Sequence, residues 1–368
     1  PARALHFTRL LFLPVGDMIV SAPVWRPGQA AVPRTALNSV ARTVRAQMNG
    51  ETEVIDRMIV GHTTDDTNVV RHAGEALWGR AADILSLALP PADWGETGLR
   101  TTAFVPLMQG IVTVLRRAVP LWYLLQDAEL GVLEPDELAV GKIISNLANE
   151  PPEGRAMVVR LILRRLPHAV SLLRRLADSV LGVADKALLQ TAIDRGTDDI
   201  LSDMESQTDL TQDLRAGSLA AVGTEVQRIA GLLDEINHDP SGARHRPRVN
   251  GIRLKLDAAC RERFTDGLRM GLVTPLAAAT APVDSAGQKQ LENCARDLRT
   301  VETAGRRLGS VTNYDALLFK ASEVVQAAAD RGNLGSVRAI RLVEILSGSE
   351  TAEAMYKRAV ASTAKVRL

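Results

Sequence analysis

The sequence predicts an all-α protein, either a multi-helix bundle or a short helical-repeat, solenoid-like array, with no substantial β-sheet. Three observations carry that expectation. Apolar residues make up 46% of the 368 positions but aromatic residues only 3%, so the core must be built from Ala, Leu, Val and Ile, a mix that favours helices over β-sandwiches. Apolar positions recur by threes and fours in two long series, the period of a helix with one buried face. No segment alternates apolar and polar residues as a half-buried strand does.

Taken in order, residues 1–34 stand apart. Pro14, Pro23, Pro27 and Pro33, with Gly16 and Gly28, break any long helix, while Phe7, Leu10, Phe12, Ile19, Val20 and Trp25 are too apolar for a free tail. A short helix or strand followed by an extended arm packed on the body is expected. Helical patterns follow over 35–48 and 51–60. Asp65 or Asp66 is placed to cap a helix running to about Leu89. The run Pro90-Pro91-Ala92-Asp93-Trp94-Gly95 is a break, and the helical region 102–128 is kinked or split by Pro106 and Pro120. Pro135 suits the first turn of a helix reaching Asn149, with Asp136 and Glu137 at its positive end.

Pro151-Pro152 then opens the first series: Val159, Ile162, Leu166, Ala169, Leu173, Leu176, Val180, Val183 and Ala187, interrupted at Pro167 and Gly182. The second is Leu219, Val222, Val226, Ile229, Leu233 and Ile236. Such seams pack helices at shallow angles, in an internal bundle rather than a free coiled coil. The pattern stops over 238–249, the best linker or long-loop candidate. Helices are expected again at about 250–272, 284–308, 313–331, 335–347 and 350–364. The resulting domain organisation is an arm (1–34), an N-terminal helical domain (35–237), the linker (238–249) and a C-terminal helical bundle (250–368). One weak internal repeat relates Leu115-Arg116-Arg117, Pro120 and Leu124-Leu125 to Leu163-Arg164-Arg165, Pro167 and Leu172-Leu173. A third copy, which a solenoid needs, is missing.

Composition excludes several classes. A net charge of +1 argues against a protein that coats nucleic acid. The 7 lysines against 37 arginines fit a GC-rich, bacterial coding bias, although arginine's planar fork also suits phosphate. Two cysteines, Cys260 and Cys294, cannot build a disulfide scaffold or a Cys-only zinc site and read as reduced thiols of a cytoplasmic protein. No apolar run reaches the length of a transmembrane helix, and the stretch Leu10–Val15 is too short for a signal-peptide core.

The most one-sided segment is 154–177. It holds Arg155, Arg160, Arg164, Arg165, Arg174 and Arg175 and no Asp or Glu. A basic amphipathic surface of this kind suits a nucleic-acid backbone, acidic lipid or acidic protein. The alternative is internal pairing, because acidic segments flank it on both sides. Asp127, Glu129, Glu134, Asp136, Glu137, Glu150 and Glu153 precede it against a single base, Lys142, and nine acids lie between Asp178 and Asp213.

Elsewhere chemistry is thinly signalled. There is no P-loop, GxSxG elbow, dinucleotide fingerprint or HExxH. His62 and His72 do not share a helix face. Asp198, Asp199, Asp203 and Glu205 lack the Glu-x-x-His partners of a di-metal bundle site and read as an acidic helix face. His238-Asp239 resembles, as a dipeptide only, the metal-binding centre of HD-type phosphohydrolases, a family that also requires an earlier His and a later Asp on helices.

These features together predict a non-catalytic interaction or scaffold protein, without cofactor or metal, that binds a protein partner through helix surfaces. The alternative is a binder of nucleic acid or another polyanion through the six arginines of 155–175. The third reading is a metal-dependent hydrolase of a helical class.

Overall fold

The computed structural model describes every residue except 1–2, 22–24, 26–29, 130–135, 181–182, 207–213, 215–216, 310 and 367–368. Among the described residues 17 α-helices form a multi-helix bundle. The only sheet among them is a parallel pair of two-residue strands, Ile19–Val20 and Val32–Pro33. The chain divides into two compact units, Pro1–Asp203 and Met204–Leu368.

The first unit begins with α1 (Phe7–Phe12), where the His6 ring accepts the Arg9 N–H at the helix start. Phe7, Leu10, Leu11 and Phe12 are buried, and the Trp78 indole N–H donates to the Leu10 carbonyl at 2.9 Å. The arm is thus anchored by apolar packing together with a buried polar tie. Helices α2 (Leu37–Met48) and α3 (Glu51–Ile59) form a hairpin turned at Asn49 and Gly50, and lead to α4 (Thr67–Leu87). Asp66 occupies the N-cap of α4, but its carboxylate turns back to accept the Thr63 N–H at 2.7 Å.

The region 102–128 is two helices, α5 (Phe104–Arg116) and α6 (Ala118–Glu129), bent by 60° where they meet. Neither proline kinks a helix interior. Pro106 and Pro120 each lie in a first turn, where no backbone N–H is needed. The break falls at Arg117. Among the described residues no single helix is long and apolar enough to cross a membrane. Pro135 lies outside the described residues. Asp136 caps α7 (Glu137–Ser145), accepting from Leu138 N–H at 2.9 Å and Ala139 N–H at 3.3 Å.

The arginine-rich stretch is likewise two helices, α8 (Pro152–Arg165) and α9 (Ala169–Val180). Leu166 is extended and His168 adopts φ +55°, so Pro167 separates the helices outright. The first apolar series faces inward from Val159 to Leu176, whereas Ala187, on α10 (Val183–Ser206), is exposed. The inward face of α10 is carried by Leu189, Ile193, Ile200 and Leu201 instead.

The second unit is built on α11 (Leu219–His238) and α12 (Arg246–Leu268), followed by a π-helical turn, Arg269–Val273, and α13 (Thr274–Ala278). After these come α14 (Ser285–Leu308), α15 (Val311–Asp330), α16 (Ser336–Ser347) and α17 (Ser349–Val366). Ser218 and Asp284 cap α11 and α14 with their side chains. From Val222 to Ile236 the second apolar series is buried as expected. The residues that read as a linker form one 3₁₀ turn, Pro240–His245, with His245 buried and α12 starting directly after it. Pro247 suits the first turn of a helix, which is why a Pro- and Gly-rich segment continues straight into one.

Candidate functional site

The six arginines of 155–175 are bound into the first unit. Arg155 donates to the carbonyls of Ala148 (3.1 Å) and Glu150 (2.5 Å), bracing the turn before α8. Arg160 is buried; it donates to the Ala30 carbonyl at 2.8 Å and pairs with Asp203. Arg164 reaches the Asp17 carbonyl and lies 3.7 Å from Asp203, and Arg165 pairs with the Asp17 carboxylate. Arg174 holds Asp194 at 3.0 Å, and Arg175 pairs with Glu137 in an exposed bridge. Asp194 and Asp203 belong to the acidic segment that follows the arginines in sequence, and Glu137 to the one that precedes them. Asp17 comes from the N-terminal arm, and no local pattern pointed to it.

The other chemistry-bearing residues are also engaged. Asp199 accepts the Ala30 N–H, and burial raises its carboxyl above the ordinary carboxylate value against the pull of Arg160. The Arg248 guanidinium holds Glu205 at 2.8 Å and lowers its carboxyl. His238 donates through Nδ1 to the Asp234 carbonyl at 2.7 Å. Among the described residues no group of three or more His, Cys, Asp or Glu stands together as a metal site. Both cysteines are free thiols, raised above their usual value by burial.

A groove beside this network has cationic groups that are less committed. Its floor begins where α8 starts. Gly154 brings α8 so close to α5 that a Cβ there would lie 2.1 Å from Thr113 Oγ1. That approach places Thr113 Oγ1 3.1 Å from Glu150 Oε2, and Arg117 donates to Glu150 Oε1 at 2.9 Å. The Arg117 and Glu150 side chains are only 12% and 17% exposed, so this pair is a neutralised floor rather than available charge.

On that floor sit two clefts that share Arg116 and Glu150 as common lining. The larger, about 520 Å³, lies against α5, α6 and α7 and is lined by Pro120, Leu138, Lys142 and Ile143 among others. The smaller, about 190 Å³, lies between the end of α4 and α5, with Phe104, Val105 and Met108 in its wall. Arg116 and Lys142 are exposed and form no ion pair among the described residues. Large aliphatic side chains project nearby: Leu138 is 77% exposed, and Leu87 and Leu89 at the end of α4 are 86% and 81% exposed. Leu138 is held in position by the Asp136 cap, which fixes the first turn of α7.

Sequence reasoning placed Arg116 in the weak repeat and named Lys142 only as the lone base of an acidic segment. With seven acids around Lys142 in sequence, no local pattern marked it as a cation left without an ion-pair partner. No protein-family model, curated protein or solved structure matches this chain.

Proposed function

We propose that this protein is a non-catalytic interaction module that binds a protein partner in the groove over α5, α6 and α7. The observation that carries the reading is the pair of clefts sharing Arg116 and Glu150, with Leu138 exposed at the wall of the larger. Exposed aliphatic side chains beside a concave surface offer a seat for the apolar face of an amphipathic partner helix. The runner-up, a polyanion site on Arg155, Arg160, Arg164, Arg165, Arg174 and Arg175, has less support because each of those guanidinium groups already has a partner in the chain. Recruiting them would break existing pairs. The reading keeps a bacterial cytoplasmic setting, of which the two free thiols support the reducing compartment alone.

Selecting a random peptide library on the purified chain tests the reading. Enriched peptides are expected to bind wild type and to lose about tenfold or more in affinity on Leu138→Asp and Val105→Asp, as anchor residues of an interface do. Enriched peptides that bind both variants like wild type, or a library that yields none, would remove the groove as an interaction site.

A further inference from the structure

We infer that the groove selects an acidic segment bearing large aliphatic side chains, with its carboxylates on Arg116 and Lys142 and its aliphatic groups against Leu138 and Pro120; this rests on the interaction reading above.

The charge in the groove decides the sign of the partner. Five ionisable groups line the larger cleft: Arg116, Arg117, Lys142, Asp136 and Glu150. Glu150 and Arg117 neutralise each other in the floor at 2.9 Å. Asp136 keeps its charge but turns its Oδ1 to the N–H groups of Leu138 and Ala139 at the start of α7, so the three cations and two anions of the lining leave the cleft net positive by one. Arg116 and Lys142 remain, both exposed and with no ion-pair partner among the described residues. Nearly every other arginine near this site is matched to an acid or a carbonyl. Two unmatched cations on one concave surface therefore favour a partner that brings carboxylates.

The apolar lining decides its class. Phosphate-backbone recognition gains affinity from many cation contacts and from aromatic faces that stack bases. This groove offers two cations, and its one aromatic side chain, Phe104, is 1% exposed and packs edge-on against Trp94. A small inorganic anion would leave the exposed Leu138 and Pro120 uncovered. A segment alternating acids with leucine-like residues satisfies both the charge and the apolar wall.

The test is a fluorescence-anisotropy titration of the full chain with three labelled peptides of one Leu-based amphipathic pattern, carrying Glu, Gln or Lys at the polar positions. The Glu peptide is expected to bind about tenfold more tightly than the Gln peptide, and its affinity to fall about five- to tenfold on Arg116→Glu and on Lys142→Glu, the size of effect that interface charges give. The double charge reversal is expected to transfer preference to the Lys peptide. Both positions are exposed, and the milder Arg116→Gln and Lys142→Gln variants give the same ranking with smaller changes. Equal binding of the three peptides, or affinity unchanged by the Arg116 and Lys142 variants, overturns the proposal. If the Lys or Gln peptide binds best and Leu138→Asp abolishes it, the acidic specificity fails while the interaction reading stands. If no peptide of any charge binds, the acidic proposal fails, and the library selection decides separately whether the groove binds anything.

Discussion

At the scale of single residues, the peptide at Ala30 shows how the N-terminal arm is secured. Arg160 donates to its carbonyl from one side, and Asp199 accepts its N–H from the other. The Asp199 carboxyl is raised by burial, which outweighs the attraction of Arg160 and is reinforced by Asp203 and Asp198. A carboxyl raised in the folded state is one that folding prefers protonated. Its contribution to stability is fully present below the ordinary carboxylate value, near 3.8, and is lost as pH rises through the raised value. Asp199→Asn keeps an acceptor for the Ala30 N–H and removes the half-buried charge. The variant is expected to melt higher than wild type at pH 7, with the gap closing as pH falls toward the ordinary carboxylate range. A variant that melts lower than wild type at every pH would show that the negative charge itself is needed. Neither Arg160 nor Asp199 was legible as a pair of arm clamps. The spacing by threes and fours identifies Val159 and Ile162 as inward, but Arg160 is tied to a carbonyl 130 residues away, and sequence distance of that size carries no local signal.

At the scale of elements, helix pairs approach most closely where a glycine faces a partner's backbone. Gly223 on α11 is such a point. A Cβ there would lie 2.7 Å from the Thr300 methyl and 3.0 Å from both the Thr300 carbonyl carbon and the Val301 nitrogen of α14. The methyl can rotate away, but the backbone of α14 cannot. Gly223→Ala is therefore expected to destabilise by about 1–3 kcal/mol, the cost of overpacking a filled interface, measured by urea unfolding. Adding Thr300→Ser should recover little, since the backbone contacts remain; full recovery would place the clash in the side chain alone. Element existence was largely legible in the sequence because helices here follow apolar spacing, caps and prolines. Ser218 and Asp284 cap where their residue types suggest, and the two copies of the Leu-Arg-Arg repeat both mark a helix end followed by a break, at Arg116 and Arg165. What misled was the position of breaks. Prolines 106, 120 and 247 sit in first turns, where they start a helix rather than kink one. The candidate groove was not legible, because it needs α5, α6 and α7 side by side and an arginine floor neutralised by Glu150.

At the scale of the whole molecule, the two units have separate cores. The first is centred on Trp78, Leu77 and Leu107, and the second on Phe264, Tyr314 and Leu298. Units with their own cores unfold as separate cooperative events, so calorimetry of the full chain is expected to resolve two transitions. Substitutions assign them. Arg160→Met removes one partner of a buried pair and leaves Asp203, 24% exposed and 3.7 Å from Arg164, only partly compensated. The loss should sit near the low end for breaking such a pair, about 3 kcal/mol. In a unit of this size that lowers a melting transition by roughly 6–12 °C. Gly223→Ala should lower the other transition and leave this one in place. Effects in separate units, with no shared partners, should also add in the double variant. If either substitution moved both transitions together, or if wild type melted in a single event with equal calorimetric and van't Hoff enthalpies, the chain would be one cooperative body. A ligand of the groove would then stabilise the entire protein. With two independent units it raises only the transition that Arg160→Met lowers, because α5, α6 and α7 all belong to Pro1–Asp203.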